Sequence, residues 1–310
     1  MGMGLMRRFL AGGLAVLWLS AAGAASADWR DDVEVLKLGV IANGDASYRM
    51  TVLEPFRAYL QGRIGVPVEL VPVGTYAAMI DAQIGARIHY AIHSVTSFAT
   101  AVEQCQCVEA IGAPVAASGA LGFHAILVAR ADGPVRTLAD ARDKRLALAG
   151  ADSVAGRLVP LQGFAEAGIE PETYFSRIVE TADPEAAIKS LLAGESDLAV
   201  GWSSLTGNYA AGFDFGVLTR MVADGTLAMD QVRIVWRSRL VPFGPHVVRS
   251  DLPPELKGLL AEALRTIAEA DPAALDAVDR LGFGGGGFAT PDPSLYAVAR
   301  DLVGPGSSLR

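Results

Sequence analysis

"VELVPVGTYAAMIDAQIGARIHYAIHSVTSFATA", residues 68–101, decides the fold, because its hydrophobic pattern switches between two periods. "VPVELVPV" (66–73) is a short apolar run that ends at a glycine, which is how a buried strand reads. "TYAAMIDAQIGA" (75–86) then spaces its apolar residues as a helix does, and "IHYAIHS" (88–94) is a strand again. A further helix passes through Phe98, Ala101 and Val102 and leads to "VEAIGAPVA" (108–116). Upstream, "LKLGVIA" (36–42) reads as a strand and "YRMTVLEPFRAYLQGRIG" (48–65) as a helix stopped near Gly65. Strands and helices in strict alternation predict an α/β sheet with parallel strands.

The alternation restarts downstream. "RLALAG" (145–150), "SRIVET" (176–181) and "SDLAVGW" (196–202) are strands, with "GRLVPLQGFAEAG" (156–168) and "PEAAIKSLLAG" (184–194) as helices between them. A helix, a glycine, a few polar residues and a strand occur as "MIDAQIGARIHYAI" (79–92) and again as "AIKSLLAGESDLAV" (187–200). The gaps differ by one residue, so the likeness is architectural and not a strict repeat. Two α/β lobes are expected, residues 34–122 with 243–310 and residues 123–242, each a mostly parallel sheet flanked by helices. "FHAILVAR" (123–130) and "VRIVWRSRLVPFGPHVV" (232–248) are the expected crossings, and the helical tail from "PPELKGLLAEALRTIAEA" (253–270) returns to the first lobe. Open α/β sheets bind ligands at the carboxyl ends of their strands, so both lobes aim those ends at a cleft between them.

Residues 1–27 read as a cleaved export signal. Arg7 and Arg8 precede the apolar "FLAGGLAVLWLSAAGA", and Ala25-Ser26-Ala27 is a small-residue cleavage site. Cleavage moves the net charge from -8 to -10, an acidic balance that argues against nucleic-acid binding. The expected compartment is a bacterial periplasm. Cys105 and Cys107 are the two cysteines of the whole chain, in "EQCQCVE" (103–109). In an oxidising compartment they read first as a disulfide closing a very short loop; as thiolates they are ligands for a soft centre. No cofactor is expected. Nor does any motif point to an enzyme: there is no Gly-x-Ser-x-Gly elbow, and the glycine-rich "GFGGGGF" (282–288) lacks the Lys-Ser/Thr of a phosphate loop.

From Leu36 to the C-terminal helices the chain resembles the periplasmic binding proteins for phosphonate, phosphite and phosphate. The resemblance is carried by "LKLGVI" (36–41), by residues 68–101, and by "AGADSVAGRLVPLQGFAEAGIEPETYF" (149–175). It implies a monomer of the type II two-lobed binding-protein fold, working with an ABC permease or with a sensor histidine kinase. It also implies an oxyanion at the helix after "AGADS", held by the Ser153 hydroxyl and the N–H groups of Val154, Ala155 and Gly156. The first turn of a helix suits an anion because its N–H groups lack partners and its dipole is positive there.

The departures from the family are specific. Ser153-Val154-Ala155-Gly156 stands where relatives carry Ser-Thr-Ser-Gly, Ser97-Phe98 where they carry Ser-Tyr, and Gly201-Trp202-Ser203-Ser204 where some place an acid. Hydroxyl donors are missing, so the cleft suits a less charged or smaller ligand. Topology adds Tyr76, His93, Ser94, Thr96 and Ser97 as cleft candidates, with His124 behind them and His89 and His246 further back. Trp202 and Ser203 are the candidates on the second lobe. A subset of the family senses arsenite with cysteine, and Cys105 and Cys107 resemble that pair. The resemblance therefore implies arsenite bound by Cys105 and Cys107 and signalled to a sensor kinase, or else uptake of a phosphorus oxyanion through an ABC transporter.

Overall fold

The computed structural model describes residues 28–42, 45–151, 153–279 and 285–297, with the isolated positions 1, 300 and 303. The expected export signal, Met1 apart, lies outside the described residues, as do Asp152 and the glycine-rich stretch 282–284.

β1 (Leu36–Ile41) feeds α1 (Ala46–Ile64). Leu53, Phe56, Leu60 and Ile64 fall on one face of that helix and are fully buried, as i, i+3, i+7 spacing requires. Each contributes about 1.5–3 kcal/mol through removal from water. The Asp45 side chain caps the helix start by accepting from the Tyr48 N–H at 3.0 Å. β2 (Val68–Val73), α2 (Tyr76–Ile84), β3 (Tyr90–Ile92), α3 (Val95–Cys105) and β4 (Val108–Pro114) follow. A second set begins with β5 (Gly122–Arg130) and β6 (Arg145–Leu148), then a π-helical turn (Val154–Leu158) that runs straight into α4 (Val159–Glu166). α5 (Pro171–Tyr174), β7 (Arg177–Glu180), α6 (Pro184–Leu192), β8 (Leu198–Ser203), α7 (Val217–Ala223), β9 (Val232–Arg237) and β10 (Val241–Pro242) complete it. β11 (His246–Arg249), α8 (Pro254–Ala270), α9 (Pro272–Val278) and β12 (Phe288–Ala289) return to the first set.

The strands form two sheets, ordered β12-β4-β11-β3-β1-β2 and β10-β5-β8-β6-β7, with β9 also on β5. β1 is parallel to β2 and β3, and β6 to β7 and β8, as the alternating pattern predicts. The strands that enter by the crossings, β5 and β11, run against their neighbours. β11 wedges between β3 and β4 and runs opposite to both, with Val247 beside Ala91 and Ala110. β5 likewise runs against β8, pairing His124 with Ser203. The reason is geometric. Each crossing joins the two sheets at the carboxyl ends of their parallel strands, so the arriving strand enters from that end and must run backwards. At one crossing the backbones nearly touch: a Cβ on Gly244 would lie 2.1 Å from the His93 carbonyl oxygen.

Two separate cores result. One gathers Leu36, Leu38, Phe56, Leu60, Val248, Leu260 and Leu264 under the first sheet. The other gathers Leu146, Phe164, Ile188, Leu191, Leu198, Val200 and Met221 around the second. A smaller cluster of Val95, Ala99, Ala125, Val159 and Val241 ties α3 to the second sheet. Among the described residues no helix is long and apolar enough to cross a membrane.

Candidate functional site

Three helices begin at the edges where the sheets face each other. Thr75 caps α2 through its hydroxyl, 3.1 Å from the Ala78 N–H, which makes Tyr76 the first helical residue. Ser94 caps α3 in a reciprocal box: its hydroxyl accepts from the Ser97 N–H at 3.0 Å, and Ser97 Oγ accepts from the Ser94 N–H at 2.9 Å. Thr96 Oγ1 lies 3.2 Å from Ser94 Oγ. Ser153 caps the third helix by accepting from the Gly156 N–H at 3.1 Å. The N–H groups of Arg157 and Leu158 both reach the Ser153 carbonyl, at 2.9 and 3.0 Å, which widens the first turn into a π-helix. Gly156 is required there by space, since a Cβ would stand 2.5 Å from Ala149 Cβ.

His93 ends β3 and is buried. Its Nε2 lies 2.8 Å from Gln83 Oε1 and its Nδ1 lies 3.0 Å from Ser97 Oγ. The Gln83 amide is oriented by donating to the Val247 carbonyl at 3.2 Å, so its oxygen accepts from His93 Nε2. The imidazole thus locks α2, α3 and β11 together behind the start of α3. The other histidines have different settings. His124 Nδ1 donates to the Ser238 carbonyl at 2.9 Å. His89, at the opposite end of β3, accepts from the Lys37 N–H at 3.1 Å, and burial, ahead of the charge of Lys37, holds its pKa below the usual imidazole value.

A cavity of about 260 Å³ lies between these helix starts and the crossings. Of the residues expected from sequence, it brings together Tyr76, His93, Ser94 and Val154. Thr96 and Ser97 stand behind Ser94 in its hydrogen-bond network, and Ser153, Ala155 and Gly156 flank Val154 without lining the cavity. Trp202 packs edge-on against the cavity residue Phe123, with ring centres 5.6 Å apart, and Arg220 lies 6.0 Å over its other side. Ser203 is fully buried and accepts from the Leu205 N–H at 3.1 Å.

Cys105 and Cys107 lie elsewhere. They are bonded to each other as a disulfide at the end of α3 and pack beside Ile80, Val108 and Val247. β4 starts at Val108 and reaches the cavity only at Pro114, about 20 Å on at ~3.3 Å per residue. An arsenite ligand on this pair, as the resemblance implied, would therefore lie away from the cavity. The pair sits at the amino end of its strand, and the parallel strands open the cleft at their carboxyl ends. Among the described residues no group of three or more His, Cys, Asp or Glu could hold a metal ion.

The cavity also contains residues that the sequence did not single out. Phe123 and Phe243 come from the crossings, Leu275 and Val278 from α9, and Phe288 from β12. His246, ranked low from sequence, lines it as well. Its ring stacks edge-on to Phe288, with centres 4.6 Å apart, and Nδ1 makes a short hydrogen bond to the Tyr90 hydroxyl. Complete burial raises the pKa of Tyr90 well above the usual phenol value. The available signal was positional: Phe243 and His246 flank the crossing itself.

The fold agrees with that of known relatives. Residues 50–296 match the family model for the ABC-transporter phosphonate periplasmic substrate-binding protein. The phosphate-import protein PhnD of Mycolicibacterium smegmatis is 25% identical over 227 residues, covering 72% of this chain and 68% of that protein. The XAC2383 protein from Xanthomonas citri, solved with chloride, superposes with a TM-score of 0.64 at 20% identity over 87% of this chain and 96% of its own. PhnD1 from Prochlorococcus marinus, solved with methylphosphonate, gives 0.58 at 16% identity over 87% and 97%. At such identities the structures speak for the shared two-lobed fold. The family-model match spans most of the sequence, and the chain belongs to the phosphonate periplasmic substrate-binding family of ABC transporters.

Proposed function

We propose that this chain is exported by cleavage after Ala27, captures a small phosphorus oxyanion between its two lobes, and delivers it to an ABC permease. The observation that carries this reading is the convergence of three helix starts, at Tyr76, Ser94 and Val154, on one cavity. Helix starts attract anions through unpartnered N–H groups and the positive end of the dipole. Tyr76, His93, Ser94 and Val154 are the proposed contacts. Thr96, Ser97, Ser153, Ala155 and Gly156 hold those helix starts in shape, and Trp202 and Ser203 back the far wall. The proposed lobes, 34–122 with 243–310 and 123–242, close about the two crossings, as hinged binding proteins do. Closure is favoured only so far as the ligand binds the closed form more tightly.

The arsenite reading needs Cys105 and Cys107 as thiolates at the ligand, together with a sensor kinase. The placement of the pair at the amino end of β4, bonded to each other, favours uptake over it. Thermal unfolding with methylphosphonate, phosphite, phosphate or arsenite, under mild reduction, separates the two. A bound ligand at about 100 times its Kd adds ~2.7 kcal/mol, several degrees in Tm. A shift with one of the phosphorus oxyanions is expected. A shift with arsenite alone, lost in Cys107→Ser, would overturn the uptake reading.

A further inference from the structure

The cavity is larger than an inorganic oxyanion needs. Its volume of about 260 Å³ is roughly nine times the ~30 Å³ that a water occupies in the liquid, and a single phosphate fills only part of it. Away from the helix starts its wall, Asp279 and His246 apart, is largely apolar. Phe123, Phe243 and Phe288 present phenyl rings, and Leu275 and Val278 add aliphatic surface from α9. The rings of Phe123 and Phe243 lie 6.3 Å apart, centre to centre, and Phe288 is fixed edge-on against His246. Charged oxygens placed against such a wall would give up water and gain no partner. Hydrocarbon placed there would gain by leaving water.

We propose that the ligand is an organic phosphorus oxyanion whose substituent is of aryl or branched-alkyl size and lies against Phe123, Phe243 and Phe288. The oxyanion end meets the helix starts, so this inference rests on the phosphorus-oxyanion reading above and adds the nature of the substituent to it. The aromatic wall, built from the crossings and from β12, is the specificity-determining surface.

Titration calorimetry of the whole chain with phosphate, methylphosphonate and phenylphosphonate tests this. Phenylphosphonate is expected to bind about tenfold or more tightly than methylphosphonate, a difference of about 1.4 kcal/mol, with phosphate weakest. Phe123→Leu is expected to weaken phenylphosphonate more than methylphosphonate and so shrink the phenyl-to-methyl ratio about threefold, with an unchanged far-UV circular dichroism spectrum and cooperative melt reporting an intact fold. Phosphate or methylphosphonate binding as tightly as phenylphosphonate would overturn the substituent and leave the phosphorus-oxyanion reading standing. An unchanged ratio in Phe123→Leu would overturn the role of the aromatic wall. Binding of none of the three would overturn both readings.

Discussion

Arg145 and Asp197 tie the start of β6 to the entry of β8. The guanidinium Nε and Nη2 donate to the two carboxylate oxygens at 3.0 and 2.9 Å, and the Arg145 backbone N–H adds a bond of 2.9 Å. The guanidinium contact is the largest cause that holds the Asp197 carboxyl below its usual pKa; partial burial works against it, and the backbone bond assists. A carboxyl depressed in the folded state stabilises the protein above its unfolded pKa, about 3.9, and that stability disappears as pH falls through the folded value. The side chains are about a third exposed, so screening limits the contribution. Asp197→Asn is expected to cost about 1 kcal/mol at pH 7, and in thermal melts across pH its deficit should close as pH falls through the depressed folded-state pKa. At this scale a residue's place along a strand decides where it lies: His93 and Ser94 directly follow β3 and line the cavity. That Gln83 orients His93 was not foreseen, because the contact forms only once the turn after α2 brings β3 back beside that helix.

The capped helices and the cysteine pair belong to the element scale. Sequence spacing located α1, α2, α6 and α8 within a few residues of their observed bounds, and α3 by residues inside it. It did not show that the helix at Val154 opens as a π-turn, which depends on Gly156 packing against Ala149. α3 spans the first lobe, with Ser94 at the cavity and Cys105 at its far end. The disulfide closes a loop of minimal length, so the chain-entropy model gives it only about 1–2 kcal/mol. Replacing both cysteines by serine is expected to lower stability by no more than about that amount. Calorimetry should show ligand affinity changed by less than about twofold, since couplings between sites this far apart are small.

At the scale of the molecule, the two backbone crossings that join the two cores are the proposed hinge. A ligand that contacts Tyr76 and Ser94 from one lobe and Val154 from the other bridges the gap, and small-angle scattering is expected to show a smaller radius of gyration when it binds. An unchanged radius at saturating ligand would remove closure from the proposal. Sequence alone determined the α/β class, the two sets of parallel strands and the strand ends that hold His93 and Ser94, because these follow from local hydrophobic period and turn residues. Tertiary structure decided the antiparallel entry of β5 and β11 and the aromatic wall from Phe123, Phe243 and Phe288. Those features depend on which segments meet after the chain crosses between lobes and returns, and local pattern carries no record of contacts made across such separations.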